Sequence, residues 1–358
     1  DDIERLLHRF PTLRVAYIDE VQLNREGDSA YYSVLVKSVD EHEHDDAASA
    51  GAADGAAAPT NGTHGPARMI GEVYRVKLPG NPVIGEGKPE NQNHAVIFTR
   101  GEYLQAIDMN QDGHFEEALK QRNLLEEFRP QRDSLPTTIV GFREHIFTGS
   151  VSSLANYMAL QELTFVTLGQ RVLDNPLRTR LHYGHPDLFD KLWFAQRGGI
   201  SKASKGINLS EDIFAGYNAV IRGGRVKMKE YVQVGKGRDV GMQQIYKFEA
   251  KLSQGNAEQV LSRDVHRIAA RLDFVRLLSY FFGGIGHYIN SCLTVFTVLT
   301  VVYTGVFFAV FDLEHVGGQR IVSLGRVQVL LAGMGMLNTM PLLATLVLEK
   351  GLVPALLE

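Results

Sequence analysis

The sequence predicts an α/β domain followed by membrane-spanning helices, and three observations carry that prediction. Short β-branched and aromatic runs recur through the first part of the chain, with longer helical patterns between and after them. Two uncharged apolar runs of about twenty residues follow, each long enough to cross a bilayer as a helix. At 358 residues the chain has enough material for one large or two modest cores.

The strand patterns are "LRVAYI" (13–18), "YYSVLVK" (31–37), "MIGEVYRVK" (69–77), "HAVIFT" (94–99) and "RVKMKEYVQV" (225–234). Helical patterns cover 114–128, 152–173 and 210–222, and Pro186 opens a further helix, "DLFDKLWF". Between the second and third strands, residues 41–67 are rich in Ala, Gly, Asp and His and nearly free of aromatics. Such a composition buries too little to offset its ordering entropy and reads as a disordered insertion. Its "EHEH" start reads as a solvated charge run rather than a metal site. No internal repeat is visible.

Residues 291–311 and 327–348 are the two predicted spans, and 263–290 reads as an amphipathic interfacial segment. Arg263, His266, Arg267, Arg271 and Arg276 precede the first span, which places the α/β domain (1–262) on the cytosolic side. The single cysteine, Cys292, excludes an intramolecular disulfide and suits a reducing compartment. A formal charge of -4 gives no ground for a nucleic-acid partner. The stretch "DMNQDGHFEE" (108–117) starts like an EF-hand, but its twelfth position is Leu119, where a bidentate carboxylate is required.

Several long segments carry a resemblance: "GNPVIGEGKPENQNHAVIFTRGEYLQAIDMNQDGHFEEALKQRNLLEEF", "LHYGHPDLFDKLWFAQRGGISKASKGINLSEDIFAGYNAVIRGGRVKMKEY", "QVGKGRDVG" and "GNAEQVLSRD". They resemble the (1,3)-β-glucan synthases of glycosyltransferase family 48, the callose synthases of plants. The resemblance implies a GT-A-like nucleotide-sugar domain at the plasma membrane, multi-pass and with its catalytic side in the cytosol. It implies transfer of glucose from UDP-glucose to a growing β-glucan chain, and a response to Rho-type small GTPases. Two alternatives stay open: synthesis of another β-glucan from the same donor, and an inactive scaffold or regulatory homologue.

Inversion at the anomeric carbon needs one carboxylate to take the acceptor's proton. Asp212, beside Glu211 in "SEDIFAG", is the candidate and resembles the Thr-Glu-Asp base motif of cellulose-type synthases. The same residues also suit a helix start, with Ser210 as N-cap. Arg197, Lys202 and Lys205 lie in a glycine- and serine-rich loop that suits a diphosphate, and Lys236 lies in a second such loop. Because these cations can stabilise the leaving group, a divalent cation such as Mg is optional. Asp19, Lys88, Glu144 and Arg180 match positions expected around the donor. Gln259 and Arg263 resemble an acceptor motif with altered spacing, and an amphipathic helix explains them equally well. His182, His185 and Asp187 in "HYGHPD" have weak metal-ligand spacing and read better as a structural turn.

Overall fold

The first three strand patterns, rich in β-branched and aromatic residues, form an antiparallel meander. Its strands are β1 (Arg14–Gln22), β2 (Ser29–Asp40) and β3 (Arg68–Lys77), and Val34 and Leu35 of β2 are buried. In this computed structural model the described residues are 2–23, 28–40, 68–85, 87–129, 135–202, 204 and 210–311, with isolated positions from 340 to 354. The expected insertion at 41–67 and Lys205 lie outside them. Helix α1 (Asp2–Arg9) precedes the meander and buries Leu7.

A second, five-stranded sheet holds the chemistry. Its order is β4–β7–β6–β8–β5, from β4 (Tyr103–Gln105), β5 (Gln111–Asp112), β6 (Thr137–Thr148), β7 (Leu188–Asp190) and β8 (Arg225–Arg238). β6 and β8 run parallel, and the other neighbours pair antiparallel. Central β6 begins with an unbroken buried run, Thr137 to Phe142, as a strand covered on both faces requires. Ile139 joins a cluster with Tyr183, Phe189, Phe194 and Ala215, whereas Val140 and Phe142 join Leu124, Phe128 and Val232. Each such side chain contributes roughly 1.5–3 kcal/mol by leaving water.

Helix α2 (Lys88–Ala95) packs against β1 of the meander, and the helices that lie against the five-stranded sheet are α3 (Phe115–Glu126), α4 (Ser153–Leu163), α5 (Gln170–Asp174), α6 (Lys191–Ala195) and α7 (Glu211–Ile221). A π-helical turn, Thr164–Gly169, joins α4 to α5. Helices α8 (Met242–Leu261), α9 (Arg263–Ala269) and α10 (Phe274–Gly283) follow. Leu181, Phe214, Tyr217 and Ile268 form a third cluster, which fixes α7 to α9.

Two predicted elements differ. Residues 94–99 are the end of α2 and a 3-10 turn, Val96–Phe98, rather than a strand. Pro89 and Glu90 explain this: proline suits a first helical turn, and the Glu90 carboxylate accepts the backbone N–H groups of Ile84, Gly85 and Gly87. After Pro186 the chain first adds β7 to the sheet, and helix starts only at Lys191, where Asp190 accepts the Trp193 N–H at 2.9 Å.

Gly216 sets how closely α7 approaches the backbone of Leu181. Any Cβ there would strike the Leu181 carbonyl. Gly216→Ala is expected to lower stability by about 1–3 kcal/mol as an overpacked contact, read as a lower thermal midpoint of the purified protein.

The chain divides into two compact units, Asp1–Tyr280 and Phe281–Glu358. The second contains α11 (Ile285–Val310), with 26 residues and a mean hydropathy of 2.1 in its most apolar window. At 1.5 Å per residue it reaches about 39 Å, more than a bilayer's hydrocarbon thickness. It contains the predicted run almost completely and starts six residues earlier (291 − 285). Among the described residues it is the one helix long and apolar enough to span. The second predicted span, 327–348, lies outside the described residues except Met340, Ala344, Val347 and Leu348.

Candidate active site

The "HYGHPD" segment is folded by its own polar groups. Asp187 accepts the Gly184 N–H at 3.0 Å and the Arg180 guanidinium at 2.8 Å, and both charged side chains are almost completely buried. Arg180 also donates to the Lys227 carbonyl at 2.6 Å and to Gln170 at 3.3 Å. The guanidinium lies flat against Gly141, where a side chain would not fit. This turn therefore points His182 and His185 at fixed partners. Asp187, bound to Arg180, is not free to serve a metal.

His182 Nε2 lies 2.7 Å from Asp212 Oδ2. The other oxygen of Asp212 accepts the Ile213 N–H at 2.7 Å. Ser210 occupies the N-cap position of α7, but its side chain makes no capping bond. Burial works against the charge of Asp212, yet the adjacent His182 outweighs it and holds the carboxyl well below the usual carboxylate range. Glu211 is buried and responds oppositely: burial, then the charge of Asp212, pushes it up, with Lys88 offsetting part. Two neighbouring carboxyls with diverging proton affinities suit one ionised base and one group near neutrality.

Lys88 stands at the start of α2 with its ammonium 3.1 Å from Glu211 and 3.9 Å from Asp108. Asp108 lies 3.6 Å from Lys236, and Lys236 lies 3.3 Å from Glu144. Gln111 donates to Glu144 at 2.8 Å. Burial pushes Glu144 up, and the Lys236 charge offsets part of that. His185 Nδ1 approaches Asp108 at 3.9 Å, and burial followed by the Lys88 charge pushes this imidazole down. The result is one cluster of charged groups running from His182 through the adjacent carboxyls Asp212 and Glu211, then Lys88, Asp108 and Lys236, to Glu144.

The sequence-predicted residues sort plainly against this cluster. Asp212, Glu211, Lys88, Glu144 and Lys236 come together. Arg180 is not among them: its guanidinium is bound to Asp187 and the Lys227 carbonyl. Asp19 does not join: it sits within the antiparallel meander and pairs with Arg75 at 2.9 Å. Arg197 stacks its guanidinium over Trp193 at 4.6 Å and is drawn away from the carboxylates. Lys202 touches the margin, its N–H donating to the Glu211 carbonyl at 3.4 Å and its ammonium 3.5 Å from Asp264. Gln259 is buried and accepts the Tyr217 hydroxyl at 3.1 Å, one turn along α7 from the cluster. Arg263 is exposed at the start of α9.

Asp108 and His182 are the site residues that sequence reasoning set aside. Asp108 was visible as part of an acidic loop and His182 as part of "HYGHPD", but the partners that define them are distant in sequence. In the stretch that starts like an EF-hand, Gln111–Asp112 is a strand paired with Gly235 and Lys236. Among the described residues, no group of three or more His, Cys, Asp or Glu side chains is arranged to hold a metal ion.

Comparison with known proteins matches the sequence to a family. The family described as 1,3-beta-glucan synthase component matches residues 59–347. Callose synthase 11 of Arabidopsis thaliana is 50% identical over 360 residues, covering 99% of this chain and 19% of that protein. Callose synthase 5 of the same plant is 50% identical over 365 residues, covering 99% of this chain and 18% of its own length. Callose synthase 3 is 49% identical over 371 residues, covering 100% of this chain and 18% of its own length. The chain thus spans about a fifth of the curated relatives it matches. With most of its length matched by the family and half its residues identical to those relatives, the chain belongs to the 1,3-beta-glucan synthase component family.

Proposed function

We propose that this chain is the catalytic part of a membrane-bound, processive, inverting glucosyltransferase that extends a (1,3)-β-D-glucan with glucose from UDP-glucose. One observation carries the reading: an ionised carboxylate at the start of α7, Asp212, lies in one cluster with lysines brought from α2 and β8. Family membership supports the polymer class, and the donor is the one that the family resemblance implies.

The residues divide the work as follows. The Asp212 carboxylate takes the proton of the acceptor's 3-hydroxyl while that oxygen bonds to the donor's anomeric carbon. The bond from that carbon to the UDP oxygen breaks, and its electron pair leaves with the diphosphate. Lys88, whose side chain is 46% exposed, is the cation best able to reach that charge. Glu211, 3.1 Å from the Lys88 ammonium, positions that cation at the edge of the cluster. Lys236 and Glu144 form the inner wall, and Lys202 lies at the rim. The parallel pair β6–β8 with helices on its faces supports a GT-A-like reading of the domain. The length and apolarity of α11 support a bilayer-spanning role.

Purified full-length protein incubated with UDP-glucose is expected to release UDP and yield a polymer that a (1,3)-β-specific glucanase digests. A polymer resistant to that glucanase would indicate a different linkage, and no UDP release would indicate an inactive scaffold. Lys88→Met is expected to raise KM for UDP-glucose at least tenfold, since a charge-assisted hydrogen bond contributes about 1.5–3 kcal/mol.

A further inference from the structure

We propose that His182 is a positioning residue for Asp212, aiming its carboxylate and setting the lower pH limit of glucosyl transfer. The inference rests on the reading of Asp212 as the base. It adds a partner whose own protonation decides how strong that base is.

The geometry fixes the pair from three sides. His182 Nε2 meets Asp212 Oδ2 at 2.7 Å, while the Ile213 N–H restrains the second oxygen. Phe165, from the π-helical turn, presses edge-on against the imidazole with centroids 4.9 Å apart and planes at 73°. Thr167 of the same turn donates its hydroxyl to the Glu144 carbonyl at 3.2 Å, tying the turn to β6. A π turn inserted in an otherwise α-helical run is a common device for presenting a side chain at a functional site. Gly216 against the Leu181 carbonyl then sets the spacing between α7 and the residue preceding His182.

The charges around the ring explain the pH effect. From α7 it faces Asp212, with Glu211 behind. Its own segment supplies Arg180 and Asp187, already paired with each other, and His185 beyond them. The π turn presents only the Phe165 ring, and Lys88 and Lys236 stand on the far sides of Glu211 and Asp108. Burial alone would push His182 down, but the Asp212 charge more than offsets it and leaves the imidazole above its ordinary value. Protonated His182 stabilises the Asp212 carboxylate so well that it is a poor proton acceptor. As the pH rises through the His182 value, the imidazole loses its Nδ1 proton and keeps the Nε2–H donated to Asp212. The aim is preserved while the carboxylate becomes more basic. Activity therefore rises with pH through the titration of His182.

The test compares wild type, His182→Gln and His182→Ala by kcat and KM for UDP-glucose over about pH 5–9. Wild-type kcat is expected to fall on an acid limb lying above about 6.5, the ordinary histidine value. His182→Gln, which keeps an N–H donor but does not titrate, is expected to retain most activity at the upper end and shift that limb down by at least about one unit. His182→Ala, lacking the donor, is expected to lose about 10- to 100-fold in kcat with KM near wild type. Thermal midpoints within a few degrees of wild type would show that both variants fold. An acid limb unchanged in His182→Gln, or an effect of His182→Ala on KM alone, overturns the proposal. Asp212→Asn separates the two claims: full activity there sinks the base itself, whereas an inactive Asp212→Asn with an unmoved His182→Gln limb sinks only this one.

Discussion

Asp212→Asn is expected to lower kcat for glucose incorporation by about 10²- to 10⁴-fold, the range for removing a general base. The substitution keeps the size of the side chain and an oxygen able to accept the Ile213 N–H, so α7 should start as before. It removes only the capacity to take a proton. KM for UDP-glucose should stay within a few-fold of wild type, because Lys88 and Lys236 remain in place. Radiolabelled glucose incorporation together with UDP release measures both quantities. Glu211→Gln makes the informative contrast. Its carboxylate lies 3.1 Å from the Lys88 ammonium, so removing its charge should disturb donor binding through Lys88 more than the chemical step.

The second large effect is structural. Arg180→Met is expected to destabilise the domain by about 3–5 kcal/mol, the cost of leaving one partner of a buried ion pair uncompensated. Asp187 would lose the guanidinium that pairs with it while remaining almost fully buried, and the Lys227 carbonyl would lose a donor at 2.6 Å. A loss of that size is a large part of a typical domain's total stability. It should appear as poor recovery of folded protein and a thermal midpoint lowered by many degrees. Arg180→Lys should recover only part, because one ammonium cannot serve Asp187, Lys227 and Gln170 from a single plane. If Arg180→Met folded normally and lost only UDP-glucose affinity, the side chain would be a donor ligand after all.

Local patterns in the sequence were good guides where a single element determined its own shape. The meander strands follow from their β-branched and aromatic runs and α7 from its helical pattern, whereas the helix expected over 152–173 carries a π turn at Thr164–Gly169 that its pattern does not announce. The run 94–99 misled because its β-branched residues look extended, while the determining signal sat earlier, in Pro89 and the capping carboxylate of Glu90. The candidate site was legible in part for a related reason. Asp212, Lys88, Glu144 and Lys236 carry chemistry recognisable in isolation, and a family resemblance pointed to them. Arg180 carries the same chemistry, but only its partner at Asp187 and its bed on Gly141 show that it is committed to structure. The converse holds for His182 and Asp108. Their meaning comes from Asp212, thirty positions on, and from Lys236, on a strand added much later in the chain.

The most direct test is a structure of the full-length protein with UDP bound. The diphosphate should contact the Lys88 ammonium, with Asp212 facing the space where the acceptor hydroxyl enters and His182 still bonded behind it. A nucleotide seated elsewhere, with Asp212 turned from it or separated from it by the breadth of the five-stranded sheet, would contradict the assignment of this cluster as the place where glucose is transferred.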